Sequence, residues 1–250
     1  MLLSAVAALA AAGAVAHGAF HRNSPFFGPT LWRLPAGIDG VPRVSLTFDD
    51  GPNPVATARI LDALGSTGVK ATFFVLGRHA VRWPELVERA AREGHQLGNH
   101  GFYHRKLHRR GPAYVREDIA RGRLAIEDAS GVTPRFFRAP HGFRSPWATA
   151  IARSLGARTV GWSLGVWDSS RPGVAAIGQR AVDGARPRSI LLLHDGDGYD
   201  PLGDRTQTAQ ALPSVLRGLA SRGFGFDLLP LAPEAVLEQA ARDAGQSAAR

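Results

Sequence analysis

Cysteine is absent from the 250 residues, which excludes disulfides, thiolate metal sites and cysteine nucleophiles. Any metal must therefore be held by nitrogen and oxygen ligands. Lysine is nearly absent as well, only Lys70 and Lys106 being present, so arginine supplies almost all of the net charge of +9. The arginines are scattered through helical stretches, with the densest local cluster at Arg105, Lys106, Arg109 and Arg110. This pattern reads as a solvated basic surface, the other reading being attraction to an anionic envelope polymer; no nucleic-acid partner is expected. There is no apolar run of the ~20 residues that a membrane-crossing helix needs. An uncharged Ala-, Leu- and Val-rich run at residues 2–16 falls short of that and ends in Ala14-Val15-Ala16, a small-x-small pattern like a signal-peptidase site. A basic n-region is lacking, since no Lys or Arg precedes Arg22. Residues 1–16 are thus expected to be an export signal or a membrane anchor, with the protein at the cell envelope, and residues 17–40 a lead-in segment.

Internal repeats and low-complexity tracts are absent too. What is present is an alternation of strand, loop and helix in a chain that is 44% hydrophobic, long enough for one sizeable core. Short β-rich runs fall at residues 43–48, 71–75, 95–98, 136–138, 158–162, 189–193 and 224–229. Between them lie amphipathic stretches at 55–64, 84–93, 114–129 and 206–222, with Gly68, Gly94, Gly131 and Gly223 near their ends. Alternation of this kind implies an α/β fold with parallel strands and crossover helices, here a deformed (β/α) barrel of about seven parallel strands. Such a barrel carries its chemistry in the loops after the C-terminal ends of the strands.

Five polar clusters sit at those places. The first is Thr47-Phe48-Asp49-Asp50-Gly51-Pro52, which by itself could be a strand-ending turn. Two neighbouring carboxylates can also divide tasks, one binding a cation and the other accepting a proton. The second contains His100 and His104, two imidazoles four residues apart. Together with a carboxylate from another strand end they make three ligands and leave a position open for water. His95 and His108 lie nearby as decoys. The third cluster is Phe137-Arg138-Ala139-Pro140-His141-Gly142, the fourth runs from Gly161 to Asp168, and the fifth is Leu191-Leu192-Leu193-His194-Asp195-Gly196. An arginine can orient a carboxylate through a two-pronged hydrogen bond, and a histidine with an acidic partner can stay protonated to act as an acid.

In this order the five clusters resemble the polysaccharide deacetylase family, the NodB-homology domain of carbohydrate esterase family 4, over about residues 41–231, leaving residues 232–250 as a C-terminal helix or tail. The resemblance implies Asp49 as catalytic base and Asp50, His100 and His104 as ligands of a divalent metal. Zinc is the default, with cobalt, nickel or ferrous iron as other candidates. It further implies Arg138 as the tether of Asp49, His194 as the acid with Asp168 as its partner, and the His141 backbone N–H as an oxyanion donor. Leu192, with Trp162 or Trp167, would line the acyl pocket. The chain departs from the family pattern in three places: Gly101 stands where Ser or Thr is usual, His141 where Tyr is usual, and Gly165 where an additional Asp is common. The implied reaction is hydrolysis of an N-acetyl group on a sugar, with an N-acetylated glycan or glycolipid as partner.

Three rival readings accompany this one. Hydrolysis of another non-peptide C–N bond on the same fold is the nearest, and a non-catalytic carbohydrate-binding domain is the second. The third rests on Gly161-Trp162-Ser163-Leu164-Gly165, which fits the G-x-S-x-G pattern of serine hydrolases and requires a helix directly after the serine.

Overall fold

The computed structural model describes residues 12–37 and 39–231. Helix α1 covers the described residues 12–20. Residues 1–11 of the expected signal or anchor, and the expected tail at 232–250, lie outside the described part. Among the described residues no helix is long and apolar enough to cross a membrane.

The strands are β1 (Arg43–Asp49), β2 (Thr72–Val75), β3 (Gln96–Asn99), β4 (Phe136–Phe137), β5 (Arg158–Thr159), β6 (Leu164–Gly165), β7 (Ile190–His194) and β8 (Gly225–Phe226). The sheet runs β5-β4-β3-β2-β1-β7-β6, every pairing is parallel, and β8 pairs with the start of β1. The helices between strands are α2 (Ala56–Gly65), α3 (Gly77–Arg82), α4 (Pro84–Arg92), α5 (Pro112–Ser130), α6 (Ala148–Ser154), α7 (Val174–Gly184) and α8 (Thr206–Ser221). Local chemistry sets several of their ends. Proline occupies the first helical position of α4 and α5, where no N–H is needed, and Gly131 closes α5 in the left-handed conformation.

Alternation along the strands decides which side chains face the helices and which face the barrel interior. On β1, Val44, Leu46 and Phe48 join Ile60, Leu61 and Leu64 of α2 and Leu212 and Leu216 of α8 in the main core. Ser45, Thr47 and Asp49 occupy the alternate positions and are also buried. Another apolar cluster, of Leu31, Leu34, Phe74, Phe136, Val160, Ile190 and Leu229, holds residues from six different parts of the chain. The interior is therefore apolar below and polar at the C-terminal mouth, where Asp49 and His194 sit.

The structure differs from the sequence reading at two strands. The run at 158–162 does not stay one strand: β5 ends at Thr159, and the chain then crosses to β7, where it forms β6 beside Leu191 and Leu192. The run at 224–229 shrinks to β8, because Leu229 bonds a side chain instead of a neighbouring strand, its N–H going to Gln96 Oε1 at 3.0 Å and its carbonyl accepting from Gln96 Nε2 at 2.9 Å. The lead-in segment also proves to be part of the barrel. Leu31 bridges Val160 in parallel, Arg33 bridges Ser189 in antiparallel sense, and Leu31 and Leu34 are buried in the interior cluster, so residues 31–34 fill the gap between β5 and β7.

Candidate active site

Parallel pairing of β1 with β7 sets Asp49 beside His194 in register. The next residue, Asp50, turns out of the strand with φ 74°. Its carboxylate Oδ1 lies 3.3 Å from His100 Nε2 and 3.1 Å from His104 Nε2. Each of these three residues offers a ligand atom within 4.8 Å of the others, and all three are buried. Asp50 Oδ1 is buried with no hydrogen-bond donor, which is the state expected of a carboxylate oxygen whose partner is a cation. His100 donates from Nδ1 to the Arg138 carbonyl at 2.8 Å, an arrangement that fixes the ring and directs Nε2 at Asp50. The donor set fits a divalent ion.

The electrostatics agree with that geometry. Burial raises the Asp50 pKa, but His104 and His100 more than reverse this and hold the carboxyl far below its ordinary range. Burial pushes His104 down to about 3, so its imidazole is neutral and free to ligate at neutral pH. Burial also lowers His100, yet Asp49 and Asp50 outweigh it and raise this histidine overall. A proton on His100 must then leave before an ion binds, so ion uptake is expected to weaken as pH falls.

Asp49 is held by Arg138, whose NH1 donates to Asp49 Oδ1 at 2.6 Å and to Thr47 Oγ1 at 2.9 Å while NH2 donates to the Gly161 carbonyl at 2.9 Å. Arg138 is fully buried and stacks 4.0 Å from the centre of the Phe74 ring. This leaves Asp49 Oδ2 facing His100 Nε2 at 3.7 Å, toward the ligand group. On the other side, His194 donates from Nδ1 to Asp168 Oδ1 at 2.9 Å, and the His194 backbone N–H and the Thr208 hydroxyl both donate to Asp168 Oδ2, at 2.7 and 2.8 Å. Burial lowers the His194 pKa, but the Asp168 carboxylate overrides it and lifts it to about 9.

The remaining candidates separate. Leu192 is buried on β7 opposite Thr47, and Trp162 packs near the Arg138 guanidinium at 5.6 Å. Trp167 is 73% exposed, whereas Trp162 packs against the interior apolar cluster as well as Arg138. His141 sits in a 3-10 turn with φ 61°, its ring 4.4 Å from that of His104. His95 is structural, its Nδ1 accepting the Ala71 N–H at 3.2 Å. Ser163 is no nucleophile elbow: its Oγ accepts the Ile190 N–H at 3.0 Å, and β6 follows it instead of a helix.

Several supporting residues escaped the sequence reading. His79, buried on α3, donates from Nδ1 to the Asp50 carbonyl at 2.8 Å and secures the left-handed backbone there. Tyr199 reaches over the mouth to His141, with its hydroxyl 3.0 Å from Nε2. Its loop is pinned by Arg205, which bonds the Gly196 and Ser169 carbonyls and Asp197. Gly198 of that loop lies so close to His104 that a Cβ would meet Nδ1 at 2.1 Å. Only tertiary contacts reveal these roles, since none of His79, Gly198, Tyr199 and Arg205 belongs to a cluster at a strand end.

Asp118 answers the departure at Gly101. It is buried on α5 and accepts the N–H groups of Phe102 and Tyr103, both at 3.2 Å, stiffening the loop between the two histidines. Gly101 has φ +80°, and a Cβ there would stand 2.4 Å from Asp118 Oδ2. Gly101→Ser, although it restores the residue usual in the family pattern, is expected to lower stability by about 1–3 kcal/mol, measured by thermal unfolding. An unchanged or higher Tm would show that the Asp118 carboxylate yields its place without cost.

Comparison with known proteins decides the family. The sequence model described as polysaccharide deacetylase matches residues 36–160. A chitooligosaccharide deacetylase of Bradyrhizobium sp. (strain ANU 289) is 39% identical over 202 residues, covering 77% of this chain and 91% of that protein. The chain belongs to the polysaccharide deacetylase family. A peptidoglycan-N-acetylglucosamine deacetylase of Bacillus cereus is 34% identical, over 80% of this chain and 90% of its own length. In structure, the chain resembles the Bc1960 peptidoglycan N-acetylglucosamine deacetylase with a TM-score of 0.73 and 30% identity, covering 80% of this chain and 91% of that one. This family of hydrolases is metal-dependent, and Asp50, His100 and His104 form the possible metal site in this member. The named deacetylases among its relatives support the enzyme over a binding-only reading of the barrel.

Proposed function

We propose that the protein hydrolyses the N-acetyl group of N-acetylglucosamine units in an oligo- or polysaccharide, with zinc held by Asp50, His100 and His104. The observation that carries this reading is the in-register pairing of Asp49 with His194 beside one ligand group. It sets a tethered carboxylate and a charged imidazole at the mouth of the same barrel. A divalent ion held by Asp50, His100 and His104 would polarise an amide carbonyl and lower the pKa of water. Asp49, kept in place by Arg138, accepts a proton from the attacking water. The backbone N–H of His141 donates to the carbonyl oxygen as it gains charge. His194 is protonated at neutral pH and gives its proton to the leaving sugar nitrogen as the C–N bond breaks, so that water adds across the bond and acetate and a free amine result. Leu192 and Trp162 form the apolar wall for the acetyl methyl group. The uncharged apolar run at the N-terminus supports placing this activity at the cell envelope.

The test is acetate release from N-acetylated oligosaccharides and peptidoglycan by the metal-loaded protein, before and after chelation. Release that stops on chelation and returns with zinc is expected; release indifferent to chelation would remove the metal from the reaction. The acid role carries its own pH signature. His194 is protonated below its raised pKa, so activity is expected to fall as pH rises through about 9. Asp168→Asn removes the carboxylate that stabilises the imidazolium, and the alkaline limb should move to lower pH. A limb that stays in place would show that another group titrates.

A further inference from the structure

The lead-in segment does more than close the barrel. After α1 it is fastened to the mouth: the Arg144 N–H donates to the Ala19 carbonyl at 3.1 Å, and the buried Arg144 guanidinium donates to the Ser24 carbonyl and to Thr30 Oγ1. Asn23 Nδ2 donates to the Trp162 carbonyl at 2.9 Å. These bonds set Phe20 against the far side of the third cluster. Its ring lies 5.5 Å from Phe143 and 5.1 Å from His108, and His108 lies 5.0 Å from Phe143. Phe143 in turn is 5.8 Å from His141, at an interplanar angle of 31°, and His141 is 4.4 Å from the candidate ligand His104. A continuous ledge of rings thus leads from the ligand group to Phe20, which is 57% exposed.

Packing alone does not explain that exposure. The segment is already held by the hydrogen bonds of Arg144 and Asn23, and the uncovered ring faces solvent at the end of a line that begins at the reacting group. Pyranose rings carry apolar C–H faces that stack on aromatic rings, and exposed apolar patches next to a site mark ligand contact. We propose that Phe20, His108 and Phe143 form a subsite for sugar units distal to the one being deacetylated, so that the lead-in segment makes this protein selective for longer glycan chains. The proposal rests on the deacetylase reading for the position of the reacting sugar. Its ligand is the chain that continues from that sugar, and continuity of the rings with His141 and His104 is what assigns it.

The experiment compares acetate release from the dimer and the hexamer of N-acetylglucosamine by the metal-loaded full chain. Phe20→Ala is expected to lower the ratio of kcat/KM on the hexamer to that on the dimer by about fivefold to tenfold, the scale of one lost aromatic stack. Phe143→Ala should lower it similarly, and the double variant should show less than the product of the two, because the rings touch. Equal losses on both oligomers, or no change in the ratio, would overturn the subsite. So would an unchanged ratio accompanied by weaker binding of Phe20→Ala to phospholipid vesicles, which would make the ring a membrane contact. Calorimetric titration of dimer and hexamer into Asp49→Asn, with and without Phe20→Ala, tests the ledge apart from turnover. If the unsubstituted protein releases no acetate while the hexamer binds more tightly than the dimer in a Phe20-dependent way, the deacetylase reading fails and the ledge stands.

Discussion

Replacing both His100 and His104 by alanine is expected to abolish stoichiometric binding of a divalent metal and, with it, acetate release. The two imidazoles supply two of the three ligand atoms within 4.8 Å of one another, and Asp50 alone would hold an ion only as weakly as a surface carboxylate does. The fold should survive, because neither ring belongs to the apolar clusters of the core. Removal also relieves the close packing of Gly198 on His104. Elemental analysis of the purified double variant, with circular dichroism to verify folding, checks this. Unchanged metal content would move the site elsewhere in the molecule.

Asp49→Asn is expected to keep the metal and to lose turnover by about 10²–10⁴-fold, the range for a positioned general base. The substitution is nearly isosteric, so the amide oxygen can still accept from Arg138 NH1, whose other bonds to Thr47 and Gly161 persist. What disappears is the ability to take a proton. Single-turnover acetate release and metal analysis on the same preparation separate the two tasks of the adjacent carboxylates. If Asp49→Asn lost the metal while Asp50→Asn kept it, the ligand and base assignments would have to be exchanged.

The structure also shows where the site stores strain. Asp50, His104 and His141 all have positive φ, which is uncommon outside glycine. Such conformations persist when the surroundings over-determine them. Here His79 holds the Asp50 carbonyl, Asp118 stiffens the approach to His104, and Tyr199 meets the His141 ring. These supports lie on α3, α5 and the loop after β7, and each is a buried or loop residue whose partner is remote in the chain. No local pattern marks them.

The alternation of apolar strands with amphipathic helices carried the parallel α/β architecture, because a period of two and a period of 3.6 are properties of the chain itself. The same holds for the polar clusters that end the strands at Asp49, His100, Arg138 and His194, since in a parallel barrel every strand delivers its last residues to one mouth. Arg138 as the tether of Asp49 and Asp168 as the partner of His194 follow from the family resemblance and not from periodicity; the tertiary structure supplies their geometry, with Arg138 donating to Asp49 Oδ1 and Asp168 accepting from His194 Nδ1. Tertiary structure alone shows Trp162 packed beside the Arg138 guanidinium while Trp167 is exposed. The lead-in segment reads locally as an irregular connector, yet residues 31–34 close the barrel and Phe20 stands beside its mouth. Distance along the chain carries no information about a gap between two edge strands, and only the closure of the sheet creates the space that this segment fills.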